Sequence, residues 1–353
     1  MTSDAPGVWN GEVSVRRVPV VRKPSRLQWV LDRWTLPRAL RRDEIEVFHA
    51  TELTSIPVCK GTKVIAHIYD MIPFLFWKEY SRRVPLDYRW ALKLARERLE
   101  QAACIVTISQ HSKSDIIELT GYPEKQIYVA YPGGPDNGDY VDSSMGPSPG
   151  ASRISGGCAL SRLRSAPLPG GEGPYFLYVG GTDFRKNVPF LIRGFARFAE
   201  RERDTRLILV GETFTMGSLP EVAELLREVH RLGINDRVVM KGYVDDPALW
   251  DLYGGSLALI FPSFYEGFGL PVLEAMTHGA PVVAARTSSI PEVLGETGIY
   301  FDPRDEDSLV AGLEAVYQHP TRCSDLVEKA RQRARLFSWN TVADVVFGIY
   351  EKI

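Results

Sequence analysis

Short apolar runs bounded by turn residues recur along the chain, and stretches with helical spacing lie between them. Leu257–Phe261 is one such run; it stops at Pro262, and the next run, Val282–Ala284, follows Gly279 and Pro281. Continuous apolar runs of this length are typical of strands buried on both faces of a parallel sheet. Glycine and proline at these positions end the intervening helix. This part of the chain therefore predicts a strand–helix–strand unit with a right-handed crossover.

The same alternation extends in both directions and favours doubly wound α/β domains. The other predicted strands are Val13–Val21, Glu46–Ala50, Lys63–Ile68, Cys104–Ser109, Ile127–Ala130, Tyr175–Val179, Leu207–Val210, Val238–Lys241 and Ile299–Phe301. The predicted helices, besides the one that begins at Pro271, are Ser25–Leu36, Leu86–Ala103, Ser112–Leu119, Pro189–Arg201, Glu306–Gln318, Cys323–Ala334 and Trp339–Glu351.

One stretch interrupts this alternation. Of the 36 residues from 138 to 173, 19 are glycine, proline or serine. Such a segment lacks the apolar content to form a core, so it predicts a flexible linker or insertion. The predicted organisation is an N-terminal α/β domain over residues 1–137, this linker over 138–173, a second α/β domain over 174–337 and a final helix over 338–353.

Composition narrows the class of protein. The 353 residues suit two domains, and 44% hydrophobic with 24% charged residues is typical of a soluble globular protein. A net charge of -2 gives no basic surface for nucleic acid. The four cysteines form no C-x-x-C pair, which favours a reducing compartment and no zinc site. With no signal peptide and no membrane-spanning stretch, we expect a cytoplasmic protein.

The first 42 residues are basic, with nine arginines or lysines against three acids. A basic amphipathic helix with tryptophans would lie on an anionic surface such as the inner face of a membrane. Alternatively, this segment forms an ordinary helix that packs on a sheet with its arginines in water, and we favour this second interpretation.

Two glutamates stand near the helix that begins at Pro271. Gly267 and Gly269 leave the backbone open just before it, where free N–H groups favour an anion or an oxygen-rich ligand. Glu274 lies on an otherwise apolar helix, so its carboxylate needs hydrogen-bond donors, as does that of Glu266. Sugar or ribose hydroxyls would supply them. The alternative interpretation, which the sequence favours to the same degree, is that Glu274 pairs with a nearby arginine and Glu266 is solvated.

The loop from Gly180 to Asn187 carries two adjacent cations between a predicted strand and a predicted helix. Ligands of open α/β sheets bind at such strand ends. Arg185 and Lys186 beside a helix N-terminus would hold a diphosphate, or would simply form a solvated pair. The chain has no P-loop, and Val272 occupies the third glycine position of a dinucleotide fingerprint, which excludes both motifs.

Three acidic residues elsewhere have structural explanations. Asp305 and Asp307 have the spacing of a metal site but directly precede a helix, where carboxylates interact favourably with the dipole, so we expect no metal. Asp70 follows a predicted strand and would reach an interdomain cleft, although an aspartate there is more often a turn residue.

The segment E-G-F-G-L-P-V-L-E from Glu266 to Glu274, continued by A-M-T-H-G-A-P-V-V, resembles the retaining family-4 (group 1) glycosyltransferases of GT-B fold. YVGGTDFRKN, LILVG, RVVMKGYVDD and FSW occur in the family's order, and YDMIPF and TISQHSKSDI are similar to its first-domain segments. The resemblance runs from about Glu46 to Ile353 without the linker. It implies two Rossmann-like domains facing across a cleft. The first domain faces the acceptor and the second domain binds a nucleotide-sugar. The last helix returns to the first domain.

The resemblance also implies roles for single residues. Arg185 and Lys186 would hold the donor diphosphate. Glu266 would grip the transferred sugar, and Glu274 the ribose. The remaining donor-binding candidates are Gly181, Thr182, Val244, Asp246, Phe268, Gly269 and Leu270. The catalytic candidates are Glu266 and Asp70, and those on the acceptor side are Tyr69 and Ser109.

The chain departs from the family at three places. Thr182 replaces an arginine, Tyr69-Asp70 replaces a frequent His-Asp, and no opening strand with a glycine-rich loop is recognisable before Glu46, so the start is interpreted as truncated. Asp246 would accept hydrogen bonds from a guanine edge, which together with the Tyr69 variant favours GDP-mannose. Alternatively, Asp245 or Asp246 caps the following helix.

The prediction is a retaining, metal-independent hexosyltransferase of polysaccharide biosynthesis. It would transfer mannose, as the first choice, from GDP-mannose to a hydroxyl of a glycan or a lipid-linked acceptor. It would need no cofactor, and the basic N-terminal segment is its candidate membrane contact. The alternatives are a nucleotide-sugar-binding protein without transferase activity and a GT-B epimerase or phosphorylase.

Overall fold

A computed structural model describes residues 25–135 and 173–353, with side chains from Trp34 onward except that of Asp87. Three predictions lie outside the described residues: the strand at 13–21, the start of the basic segment, and all but the last residue of the linker at 138–173. Within the described ranges, no helix is long and apolar enough to span a bilayer.

The described chain divides into two compact units. The first comprises the described residues up to Ala66 together with Lys78–Ala103, and the second comprises His67–Trp77 with Cys104–Ile353. The elements that lie wholly or mostly in the first unit are α1 (Ser25–Arg42), β1 (Val47–Ala50), β2 (Lys63–Ile68), α3 (Trp77–Arg83) and α4 (Leu86–Leu99). Strands β1 and β2 pair in parallel.

Helix α1 is longer than the sequence predicts. The prediction, made from the spacing of apolar residues, ended it at Leu36, directly before Pro37. The helix instead continues through Pro37 to Arg42. The carbonyl oxygen of Pro37 accepts a hydrogen bond from Arg41 Nε at 3.2 Å, so the residues after the proline remain tied to it. The predicted end at Leu36 was wrong, because a proline removes one helical hydrogen bond while later residues keep theirs, such as Asp43 N to the carbonyl oxygen of Ala39 at 3.0 Å.

The second unit begins with a small group of elements that precede its large sheet. They are α2 (Ile72–Leu75), β3 (Cys104–Thr107), α5 (Gln110–Thr120) and β4 (Ile127–Val129). Strands β3 and β4 are parallel. Helix α5 starts after Ser109, whose hydroxyl accepts from Ser112 N at 2.9 Å, and it ends at Gly121 in the left-handed conformation.

A six-stranded parallel sheet forms the rest of this unit. Its strands are β5 (Tyr175–Val179), β6 (Arg206–Val210), β7 (Val238–Lys241), β8 (Ala258–Phe261), β9 (Val282–Ala285) and β10 (Ile299–Phe301). Its helices are α6 (Val188–Ala199), α7 (Pro220–Arg231), α8 (Asp246–Gly255), α9 (Leu270–His278), α10 (Ile290–Leu294), α11 (Glu306–Gln318), α12 (Pro320–Ala334) and α13 (Trp339–Tyr350). The strand order is β10-β9-β8-β5-β6-β7.

Both faces of this sheet are covered by helices. In β5, Phe176 and Tyr178 join a core with α6, α7 and α11, whereas Tyr175 and Leu177 join a second core with α8, α9, α10 and α12. All four side chains are fully buried. Burial on both faces explains why the sequence of this strand is continuously apolar rather than alternating, and it confirms the predicted parallel α/β class.

The strand order reverses between β5 and β8. From β5 the chain moves outward to β6 and β7, then returns to β8 and moves outward in the other direction. The loops that follow β5 and β8 therefore leave the same edge of the sheet side by side. Ligands of doubly wound sheets bind at such a reversal. The sequence candidates in the loops 180–187 and 262–269 lie at this edge.

Candidate functional site

The loop after β5 holds its two cations in a fixed turn. Residues Phe184–Lys186 form one turn of 3₁₀ helix, capped by Asp183, whose carboxylate accepts from Arg185 N at 3.1 Å. The same carboxylate lies 2.9 Å from Arg185 Nε. Asn187 then takes a left-handed conformation and α6 begins. The turn thus presents Arg185 and Lys186 immediately before a helix N-terminus.

Three contacts join this turn to the loop after β8. Lys186 Nζ lies 2.8 Å from Glu266 Oε1. Arg185 Nη1 donates to the carbonyl oxygen of Tyr265 at 3.3 Å, and the carbonyl oxygen of Arg185 accepts from Phe264 N at 2.7 Å. The side chains of Lys186 and Glu266 are only 18% and 11% exposed. The interpretations of a solvated Arg–Lys pair and of a solvated Glu266 are therefore wrong, because the residues pair across the two loops.

The glycines of the second loop are needed for close approach. Gly269 has φ of +106°, and a Cβ there would lie 2.7 Å from Ile290 Cδ1. A Cβ at Gly267 would lie 3.0 Å from the Cβ of Asp70. Helix α9 then begins at Leu270 with no side-chain cap. Pro271 has no N–H, and the N–H groups of Val272 and Leu273 donate to the carbonyl oxygen of Gly269 at 2.9 and 3.3 Å. In this first turn, the N–H of Leu270 is therefore the group that would suit an anionic ligand.

Asp70 lies against this loop and also shapes its own turn. Its Oδ1 accepts from Ile72 N at 3.0 Å, as expected for an aspartate before a helical turn. Burial raises the pKa of the Asp70 carboxyl, the nearby Arg185 lowers it, and the negative charges of Glu266 and Asp115 raise it further. Beside it, Tyr69 is 50% exposed and stacks on His67 with ring centroids 4.8 Å apart.

Glu274 lies on α9, one turn from its start, and accepts from the hydroxyl of Tyr253 at 2.7 Å. Burial is the main cause that raises the pKa of its carboxyl, and the charge of Asp246 adds to the effect. No arginine pairs with Glu274 in the part of the chain that the structure describes, so the predicted Glu–Arg alternative is wrong. Asp245 caps α8 by accepting from Ala248 N at 3.1 Å, which leaves Asp246 as the first helical residue, exposed to solvent.

The other candidates occupy more structural positions. Ser109 is fully buried as the cap of α5, and Val244 packs at the edge of the second core. The carbonyl oxygen of Gly181 accepts from Tyr178 Oη at 2.7 Å. Beside it, the hydroxyl of Thr213 is buried and has no partner among the described protein atoms. Thr182 and Phe268 line the two loops, Thr182 partly buried and Phe268 buried.

Several residues that hold the site were not singled out by the sequence. The hydroxyl of Tyr265 donates to the buried carboxylate of Asp115, which lies 3.8 Å from His111. Ser288 Oγ accepts from Glu266 N at 2.9 Å, and Ser289 Oγ lies 2.9 Å from the carbonyl oxygens of Glu266 and Phe268. These positions depend on tertiary contacts over 20 to 150 residues, for which spacing in the sequence gives no signal.

Within residues 25–135 and 173–353, no three histidine, cysteine, aspartate or glutamate residues lie close enough to hold a metal ion. Asp305 instead caps α11 by accepting from Asp307 N at 2.9 Å, and Asp307 pairs with Arg197, which confirms the structural interpretation of this triplet. Reaction without a metal or cofactor stays a prediction.

Two family models match the chain in succession. The model described as Glycosyltransferase Family 4 matches residues 2–134, and the model described as Glycosyl transferases group 1 matches residues 162–333. The second match contains both loops of the site and the helices that follow them.

Two curated relatives are mannosyltransferases. O-antigen chain mannosyltransferase B of Escherichia coli is 30% identical over 263 residues, covering 74% of this chain and 64% of the relative. MMP alpha-(1->4)-mannosyltransferase of Mycolicibacterium hassiacum is 30% identical over 276 residues, covering 76% of this chain and 59% of the relative. The chain thus spans less than two thirds of the length of these relatives.

Solved structures show the fold. Sucrose-phosphate synthase from Thermosynechococcus elongatus has a TM-score of 0.71 at 20% identity, covering 95% of this chain and 80% of that one. The Anabaena protein HepE in complex with UDP and glucose has a TM-score of 0.64 at 20% identity, covering 90% of this chain and 80% of that one. The fold is GT-B, and with both family models matched, the chain belongs to the group 1 glycosyltransferases.

Proposed function

We propose that the protein is a retaining hexosyltransferase that moves a hexose, mannose first, from a nucleotide-sugar to a hydroxyl of a glycan or lipid-linked acceptor. The mannosyltransferase relatives support this substrate class. The observation that carries the proposal is the pairing of Lys186 with Glu266 between the two loops at the reversal of the sheet. Beside this pair lie Arg185, Asp70 and the uncapped start of α9.

In the proposed reaction, these groups stabilise the charge that develops on the departing diphosphate. Lys186 and Arg185 would donate to phosphate oxygens, and the backbone N–H of Leu270, the first residue of α9, would add a further donor. As the bond from the sugar C1 to the phosphate oxygen breaks, the acceptor oxygen attacks the same face. Its proton passes to the departing phosphate, so no base has to be supplied by the protein, and configuration is retained.

The two glutamates and Asp70 would have different tasks. Glu266, already held by Lys186 and by the two serines, would accept from hydroxyls of the transferred sugar. Glu274 has one oxygen on Tyr253, and its other oxygen would accept from the ribose. Asp70, against Gly267 and beside the exposed Tyr69, would orient the acceptor hydroxyl.

GDP-mannose is the first donor to test. Asp245 serves as the helix cap, so the exposed carboxylate of Asp246 is left to accept from the two donors on a guanine edge. The structural neighbour HepE was solved with UDP, which makes UDP-sugars the necessary comparison.

The test is a thermal-shift screen of GDP-, UDP-, ADP- and dTDP-sugars, followed by product analysis with the donor that stabilises. A donor that binds only the folded state raises Tm by an amount that grows with the ratio of its concentration to its Kd. The proposal predicts that GDP-mannose stabilises most and is consumed when an acceptor is added. Stabilisation without consumption would identify a nucleotide-sugar-binding protein, and conversion of the donor without transfer would identify an epimerase.

A further inference from the structure

Glu292 makes an unusual set of contacts outside the two loops described above. It lies on the five-residue helix α10, and its two carboxylate oxygens accept from the backbone N–H groups of Gln110 and His111, each at 2.7 Å. These are the first two residues of α5. The hydroxyl of Tyr131 also donates to Glu292, at 3.0 Å. A single side chain thus accepts from the first two N–H groups of a helix about 180 residues earlier in the chain.

The backbone of α10 is fixed at the same point. Arg333 donates to the carbonyl oxygens of Glu292 and Val293, each at 2.7 Å. A Cβ at Gly295, just after the helix, would lie 2.9 Å from the guanidinium of Arg333. The short helix therefore has little freedom to shift along or about its axis.

The residues just before Glu292 hold the loop 262–269, which follows β8. Ser288 accepts from the backbone of Glu266, Ser289 donates to it, and Ile290 packs under Gly269. Ser288 has φ of +46°, an uncommon conformation for a serine, and such conformations persist where surrounding contacts fix them. One short segment, 288–292, therefore grips the loop with its first residues and α5 with its last.

Helix α5 also contacts that loop directly. Ser112 Oγ donates to the carbonyl oxygen of Gly267 at 3.3 Å, and Asp115 accepts from the hydroxyl of Tyr265. The direction of α5 thus affects where the loop residues lie. Glu292 fixes that direction at the start of the helix.

We infer that Glu292 is a positioning residue, which couples the N-terminus of α5 to the loop 265–269 and so holds Glu266 in place for transfer. The statement about transfer rests on the proposed function. The statement about coupling does not, because it concerns only the mobility of two segments.

The test is hydrogen exchange, with Glu292→Ala compared to the wild-type chain. Loss of charged hydrogen bonds at the start of α5 should raise exchange in a peptide spanning 107–117 by about tenfold or more. If α10 couples the segments, exchange should also rise in a peptide spanning 263–271. The matched control is Glu296→Ala, whose exposed side chain pairs only loosely with Arg286 at 3.4 Å and should change neither peptide.

A smaller perturbation keeps the test usable if Glu292→Ala folds poorly. Tyr131→Phe removes one of the three hydrogen bonds to Glu292, and should raise exchange in both peptides by a smaller factor. The coupling would be overturned if exchange rose only in the peptide 107–117, or if it rose in neither peptide.

In turnover, Glu292→Ala should lower kcat about tenfold while the Kd for a nucleoside diphosphate changes less than about threefold. Parallel loss of both would overturn the positioning role, and absence of any turnover in the wild type would refute the proposed function instead.

Discussion

The pairing of Lys186 with Glu266 leads to opposite predictions for the two residues. Their charged atoms are 2.8 Å apart, and both side chains are mostly buried. If the donor diphosphate binds here, it adds negative charge beside Glu266 and competes with it for Lys186. Lys186→Ala should therefore weaken binding of a nucleoside diphosphate. Glu266→Gln should leave that binding unchanged or strengthen it, while abolishing most of the transfer.

The magnitude follows from the geometry. At an effective dielectric constant of about 20, two unit charges at this separation attract by about 6 kcal/mol, and desolvation cancels much of that energy. Hydrogen bonds to charged groups contribute about 1.5–3 kcal/mol in practice. Loss of Lys186 should thus raise Kd between about tenfold and about 150-fold. Loss of the charge of Glu266 acts in the other direction, by up to about tenfold, because Lys186 already screens part of it.

Calorimetric titration with GDP and UDP measures both effects. Lys329→Ala, an exposed lysine on α12, is the matched control and should bind as the wild type does. The assignment of the diphosphate to Lys186 would be refuted if Lys186→Ala bound either nucleotide with wild-type affinity. It would also be refuted if Glu266→Gln weakened binding as much as Lys186→Ala.

Three further outcomes are expected. Glu274→Gln should weaken nucleotide binding by about 1.5–3 kcal/mol in a titration. It should also raise Tm at pH 8 but not near pH 4, since the raised pKa means that ionisation of Glu274 disfavours the folded state only at higher pH. Burial raises the pKa of Asp70, so the wild-type affinity for GDP should increase as pH falls and this carboxyl becomes neutral. The Asp70→Asn variant should bind GDP at pH 8 as tightly as the wild type does at low pH, and its affinity should change less with pH. Transfer should survive EDTA; complete loss that manganese restores would contradict a metal-independent reaction.

Much of the fold follows from local patterns. The continuously apolar sequence of β5 and β8 predicts strands buried on both faces, and the glycine and prolines around α9 predict its limits to within one residue. The loops with Arg185 and Glu266 are candidates because each follows such a strand. Their adjacency depends on the strand order, which a resemblance to a family supplies and periodicity does not.

The contacts that hold the site are beyond local patterns. Ser289 and Glu292 have the spacing of a capping box, S-x-x-E, which predicts that the glutamate bonds back to its own helix start. In the structure, Ser289 donates a hydrogen bond to the loop 262–269, and Glu292 accepts hydrogen bonds from the start of α5. Likewise, aspartates on helices are mostly exposed to solvent, yet Asp115 on α5 lies buried against Tyr265. Tertiary partners override local preference at these residues.

Following the anomeric carbon of the donor by NMR, while the purified protein turns over GDP-mannose, tests the proposed transfer most directly. We expect GDP to be released together with a product, or with free mannose if water is the acceptor, whose configuration at C1 is the same as in the donor. The Lys186→Ala variant should release little of either. Release of a product with inverted configuration, or no consumption of any of the four nucleotide-sugars with any glycan or lipid-linked acceptor, would contradict the proposed transfer.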